Sequence, residues 1–139
     1  MDITFNREDT KQLRALGVEA VYLFGSRAVG RETPRSDFDF AVLMAKTGHR
    51  RGDEVYDKLY DLLSPHCPRT LDNDVIDIVF LRDAPLELQM HIIRYGRVLY
   101  DAAPRSRANF EARTTLLYAD YRPLLDIFDD AILQRYATH

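Results

Sequence analysis

Short apolar runs and helix-spaced apolar positions follow one another along the chain in a definite order. Residues 7 to 16 carry Leu13 and Leu16 on one face. Asn6 and Asp9 have capping-box spacing, and Gly17 supplies a stop, so a short helix is predicted there. Ala20-Val21-Tyr22-Leu23-Phe24 is a strand-length apolar run ending at Gly25. Residues 26 to 36 read as a polar, arginine-rich connection broken by Gly30 and Pro34. A second strand is expected from Asp37 to Met44, followed by a loop from Thr47 to Gly52. Asp53 is placed to cap a helix reaching Leu63, with Val55, Tyr56, Leu59, Leu62 and Leu63 at helical spacing. Ser64 to Asn73, with two prolines, reads as a loop, and Val75 to Leu81 as an apolar strand interrupted only by Asp77. Pro85 opens another helix, Gly96 ends it, and Val98-Leu99-Tyr100 makes a small final strand. From Ser106 the chain reads as helical to its end. There Phe110, Leu117, Tyr121, Leu125, Phe128, Ile132 and Tyr136 form a stripe, and Pro123 is expected to kink or split it.

That order implies an α+β (α/β-like) fold, a small mixed β-sheet flanked by helices, with a helical tail. The 139 residues suit one domain: a core over 1–103 and an extension over 104–139 that packs on the core or on a partner. An amphipathic terminal helix ordinarily packs on its own core. With 46% hydrophobic and 29% charged residues the composition is that of a globular chain. The net charge of -3 argues against a general polyanion binder, so no direct contact with nucleic acid is expected. No apolar run approaches the roughly 18 residues of a membrane span, and no secretory signal is visible, so a cytoplasmic protein is expected. The single cysteine, Cys67, reads as a loop residue. His49, His66, His91 and His139 lack metal-ligand spacing, and a surface or helix-face role fits them better.

Three carboxylates stand where a plain strand would not place them. Asp37 and Asp39 lie two apart in a strand, so they share one face while Phe38, Phe40 and Val42 cover the other. Parallel acids repel and form strands poorly. A divalent cation such as Mg²⁺ turns the repulsion into coordination. Asp77 sits inside an apolar strand, where a lone acid is costly to bury without a partner. Should that strand adjoin the second, three carboxylates converge, which is the equipment of two-metal phosphoryl or nucleotidyl transfer. Upstream, Gly25-Ser26 directly follows a strand. Glycine admits a sharp turn and a close approach, and the Ser26 hydroxyl with nearby N–H groups can hold phosphate oxygens. Arg27 and Arg31 add charge of suitable geometry. Each part alone reads more readily as a strand entry, a satisfied polar residue or a plain turn; the combination is specific.

The combination is Leu23-Phe24-Gly25-Ser26-Arg27-Ala28-Val29-Gly30, then Ser36-Asp37-Phe38-Asp39, then Asp77 in a strand. It resembles the minimal nucleotidyltransferase (MNT) branch of the DNA polymerase β-like nucleotidyltransferase superfamily, over about residues 18 to 100 and most tightly over 22 to 43. The resemblance implies that Gly25, Ser26, Arg27, Arg31 and Ser36 bind the nucleotide and that Asp37 and Asp39 ligate Mg²⁺. Asp77 would complete the triad as ligand or as base. ATP is the implied substrate, with pyrophosphate leaving. Val29 departs from the pattern, standing where many relatives carry a second basic residue. The short tail leaves little room for a complete acceptor pocket. Stand-alone chains of this kind are similar to the MntA-type antitoxins of HEPN–MNT toxin–antitoxin pairs, whose partner is an all-helical ribonuclease toxin. The implied function is an antitoxin that transfers AMP to a toxin tyrosine. Two alternatives are an antitoxin acting by contact alone and a small-molecule (aminoglycoside-like) nucleotidyltransferase with a second subunit.

Overall fold

In the computed structural model, which describes residues 3–30, 38–67 and 76–137, the local signals act where the sequence puts them. Helix α1 (Arg7–Ala15) starts at a complete capping box: the Asp9 N–H donates to Asn6 Oδ1 at 2.8 Å, and the Asn6 N–H donates to Asp9 Oδ2 at 3.1 Å. Strand β1 (Val18–Phe24) begins straight after Gly17, two residues before the apolar run alone suggests. Strand β2 spans Phe38–Met44. Helix α2 (Glu54–Leu63) is capped by Asp53, whose carboxylate accepts from the Tyr56 N–H at 2.7 Å. A 3-10 turn over Ser64–His66 continues it. Strand β3 (Ile76–Phe80), a second 3-10 turn (Leu81–Asp83), helix α3 (Leu86–Tyr95), strand β4 (Arg97–Asp101) and helix α4 (Pro104–Ala137) complete the chain.

The sheet order is β3-β2-β1-β4. β1 runs antiparallel to β2 and β4, whereas β2 and β3 are parallel, so the sheet is mixed as expected. A parallel pair needs a crossover, which α2 supplies. Side chains alternate between two cores. On one face Val21, Leu23, Phe40, Val42, Ile78 and Phe80 pack with Leu13 of α1 and Leu59 and Leu63 of α2. On the other, Ala20, Tyr22, Phe24, Ala41 and Leu43 meet Ile92 of α3 and Phe110 of α4. Cys67 belongs to the first core rather than to an exposed loop, and its thiol donates to the Leu63 carbonyl at 3.5 Å.

The tail is more continuous and less covered than its pattern suggests. Helix α4 runs through Pro123 as one element, so of the two outcomes expected there, a kink or a split, it does not split. Proline removes one N–H, here the bond to the Ala119 carbonyl, and the turns on either side carry the helix on. Packing on the chain's own core also ends early. Phe110 and Thr114 are buried, but Tyr121 is 50%, Leu124 47% and Ile127 63% exposed. The start of α4 is pinned by polar contacts as well as by Phe110. Tyr22 donates to Glu111 Oε1 at 2.8 Å, and Arg107 bridges Asp101 at 2.8 Å and Glu111 at 3.0 Å. Among the described residues no helix is long and apolar enough to cross a membrane.

Asp53 yields a test of the α2 cap. Burial raises its carboxyl pKa, but the Tyr56 and Arg50 N–H groups and His49 lower it further, leaving it below its ordinary value of 3.8. A depressed folded-state pKa contributes stability above the unfolded value, lost as pH falls through the folded one. Asp53→Ala is expected to cost about 1 kcal/mol at pH 7 in urea unfolding. The difference from the parent should shrink toward pH 3.

Candidate active site

The candidate residues gather where β1 ends and β2 and β3 begin. Phe24, the last residue of β1, lies opposite Asp39 in the antiparallel register. Gly25 then turns the chain at φ +78°, and the Ala28 N–H closes the turn on its carbonyl at 3.1 Å. The turn must be glycine for a second reason. A Cβ at Gly25 would overlap the Asp39 carboxylate oxygen, and even Asp39 Cγ would lie only 3.3 Å away. Backbone and carboxylate are therefore in direct contact, made possible by a missing methyl group.

Asp39 is paired with Asp77 across the parallel β2–β3 ladder. Neighbouring strands lie about 4.8 Å apart, and residues in direct register point to the same side. Both carboxylates thus leave the sheet on the face of Ala41, Leu43 and Val79, opposite the α1–α2 core. Both are half-buried. Among the described residues none hydrogen-bonds or ion-pairs with the Asp77 carboxylate. Asp37, Ser36 and Arg31 lie outside the described residues. Two carboxylates, rather than a group of three potential ligands, are accordingly described here. Their chemistry fits Mg²⁺: hard oxygen donors on adjacent strands, leaving the sheet on one face.

Arg27 is placed differently from the other candidates. Its guanidinium covers the Phe38 ring at 3.8 Å from the centroid, beside a cavity of about 320 Å³ that Leu23 and Arg97 also line. Leu23 and Phe38 belong to the α1–α2 face, so this arginine sits behind the sheet from the carboxylates. Gly25 and Ser26 instead border a groove of about 610 Å³ with Val29, His91 and Tyr95. His91 and Tyr95, both on α3, are the residues that sequence reasoning missed at this site. Their i,i+4 spacing on a helix opened by Pro85 is the one signal that would have paired them. Gly96 holds the end of α3 close: its N–H donates to the Ile92 carbonyl at 2.7 Å, and a Cβ there would overlap that same oxygen.

A small mixed sheet with acids on adjacent strands beside a glycine–serine turn is the arrangement of a nucleotidyltransferase. The chain belongs to the polymerase beta nucleotidyltransferase family, whose model matches residues 10–105. No curated protein matches the sequence. Among solved structures, a toxin–antitoxin crystallised with AMP-PNP is similar at TM-score 0.67 and 27% identity, over 92% of this chain and 99% of that one. A mutant of the MntA–HpeT toxin–antitoxin is similar at TM-score 0.65 and 25% identity, again over 92% and 99%. A rebuilt structure of the tri-AMPylated Shewanella oneidensis HEPN toxin in complex with MNT antitoxin shares the fold, at TM-score 0.58 and 23% identity over 91% and 98%.

The Gly25–Asp39 contact is testable by itself. Gly25→Ala adds a Cβ into a carboxylate and a left-handed backbone to an L side chain. The expected loss is about 1–3 kcal/mol of stability by chemical denaturation. Gly30→Ala, also at positive φ but with nothing within 4 Å of its Cβ, should cost less.

Proposed function

We propose that this protein is a Mg²⁺-dependent nucleotidyltransferase and the antitoxin of a HEPN–MNT toxin–antitoxin pair, moving AMP from ATP to a tyrosine of the ribonuclease toxin. The observation that carries the reading is the register of Asp39 against Asp77 beside Gly25. The similarity to a toxin–antitoxin crystallised with AMP-PNP supports both the nucleotide and the partner. The exposed apolar side chains Leu117, Tyr121, Leu124 and Ile127 on α4 support an acceptor on another protein.

The Ser26 hydroxyl and the N–H groups of the turn hold the outer phosphates of the triphosphate. Asp39 and Asp77, with Asp37, would hold Mg²⁺, which when bound supplies the positive charge that offsets the phosphates. The acceptor hydroxyl oxygen forms a bond to the α-phosphorus while the bond from that phosphorus to the bridging oxygen breaks. Pyrophosphate leaves with the bond electrons, and the hydroxyl proton passes to a carboxylate of the triad. Positioning and preorganised charge provide most of the acceleration. Arg27 packs its guanidinium over the ring of Phe38, the residue before Asp39.

The test uses the chain, the HEPN protein it neutralises, Mg²⁺ and ATP labelled on the α-phosphate. Label is expected on the toxin, falling at least about 100-fold with Asp39→Asn or Asp77→Asn, while the two proteins still co-elute. Unchanged labelling by both variants overturns the assignment. Neutralisation that survives Asp39→Asn without labelling would instead establish inhibition by contact, the reading that the exposed α4 stripe favours.

A further inference from the structure

We propose that His91 and Tyr95 form an aromatic platform for the base of the bound nucleotide, an inference that rests on the nucleotidyltransferase reading above. The groove has two walls. Gly25, Ser26 and Val29 form one, and the outward face of α3 forms the other. Along α3, Met90 and Ile92 turn inward and are buried, whereas His91 and Tyr95 turn out. Their rings lie 5.1 Å apart at 51°, side by side on successive turns. Tyr95 is 51% exposed and Val29 48% exposed, so both walls present apolar surface to the groove.

Aromatic and apolar walls around a space of about 610 Å³ suit a flat heterocycle, and this volume lies in the range of small-molecule sites. The wall that carries Val29 is also the phosphate turn. A triphosphate held at Gly25-Ser26 therefore enters the groove without crossing another element. The anchored end of α3, fixed by the close approach of Gly96 to Ile92 and to the Leu23 carbonyl, keeps the platform at a set distance from that turn. Stacking reads the π-face that all bases share. The side-chain groups able to meet a base edge are few: the His91 imidazole, the Tyr95 phenol and the Ser26 hydroxyl. The site is accordingly expected to bind adenine and guanine nucleotides with similar affinity.

Calorimetric titration of the full chain with Mg·ATP, Mg·GTP and magnesium tripolyphosphate tests the inference. Tyr95→Ala is expected to raise the Kd of both nucleotides about tenfold and to leave that of tripolyphosphate unchanged. Tyr95→Phe should bind like the parent, and circular dichroism should show both variants folded, since half of the side chain is already in water. An unchanged ATP affinity in Tyr95→Ala overturns the platform, as does an equal loss for tripolyphosphate. Lost AMP transfer with intact ATP binding also overturns it, assigning the groove to the acceptor. Failure of the parent chain to bind Mg·ATP is a different result: it overturns the nucleotide reading itself.

Discussion

The register of two adjacent parallel strands sets Asp39 against Asp77, so two acidic side chains leave one face of the sheet as neighbours. The opposite face of the sheet is a continuous core. Phe38, Phe40 and Val42 lie alongside Ile76, Ile78 and Phe80, under Leu59 and Leu63 of α2. A slip of one residue would send every one of those apolar side chains to the wrong side. The hydrophobic register thus fixes the acidic one. Gly25 adds the backbone to the same cluster by leaving its Cβ position to the Asp39 carboxylate.

How far this was legible in the sequence depends on how local each feature is. The capping box of α1 and the Asp53 cap involve residues three apart, and both form as their spacing indicates. Alternation in β2 put Asp39 on the face away from Phe38 and Phe40, which is where the structure has it. The meeting of Asp39 with Asp77 was only conditional, because it depends on a crossover through α2 whose closing strand no local pattern selects. The side taken by Arg27 was not legible at all. A long cation goes wherever a ring and an acceptor offer themselves, and the ring was Phe38, behind the sheet. His91 read only as a surface or helix-face residue and Tyr95 not as a site residue, because their groove exists only once α3 folds back beside the turn after β1.

Helix α4 divides into two parts with different physics. Its first turns are tied to β1 and β4 through Tyr22, Glu111, Arg107 and Asp101. Burial and the bond to Glu111 push the Tyr22 phenol well above its ordinary value, while the hydrogen bond to Asp101 holds Arg107 firmly charged. Tyr22 therefore stays neutral and donates, and Arg107 keeps the neighbouring carboxylates compensated. Beyond Thr114 the helix leaves the core and presents Leu117, Tyr121, Leu124 and Ile127 outward. Proline at 123 does not end it, since a single missing N–H removes one bond from a helix of 34 residues. Helix α4 is thus rooted on the sheet through its first turns, by Phe110 as well as by these polar contacts, and is exposed beyond Thr114.

The most direct examination of the central claim is a crystal of the chain grown with Mn²⁺ in place of Mg²⁺ and a non-hydrolysable ATP analogue. Anomalous scattering would locate the metal without reference to activity. The account predicts a peak within coordination distance of both the Asp39 and the Asp77 carboxylates, next to Gly25. Manganese bound elsewhere, or held by only one of the two while the other points away, would contradict it.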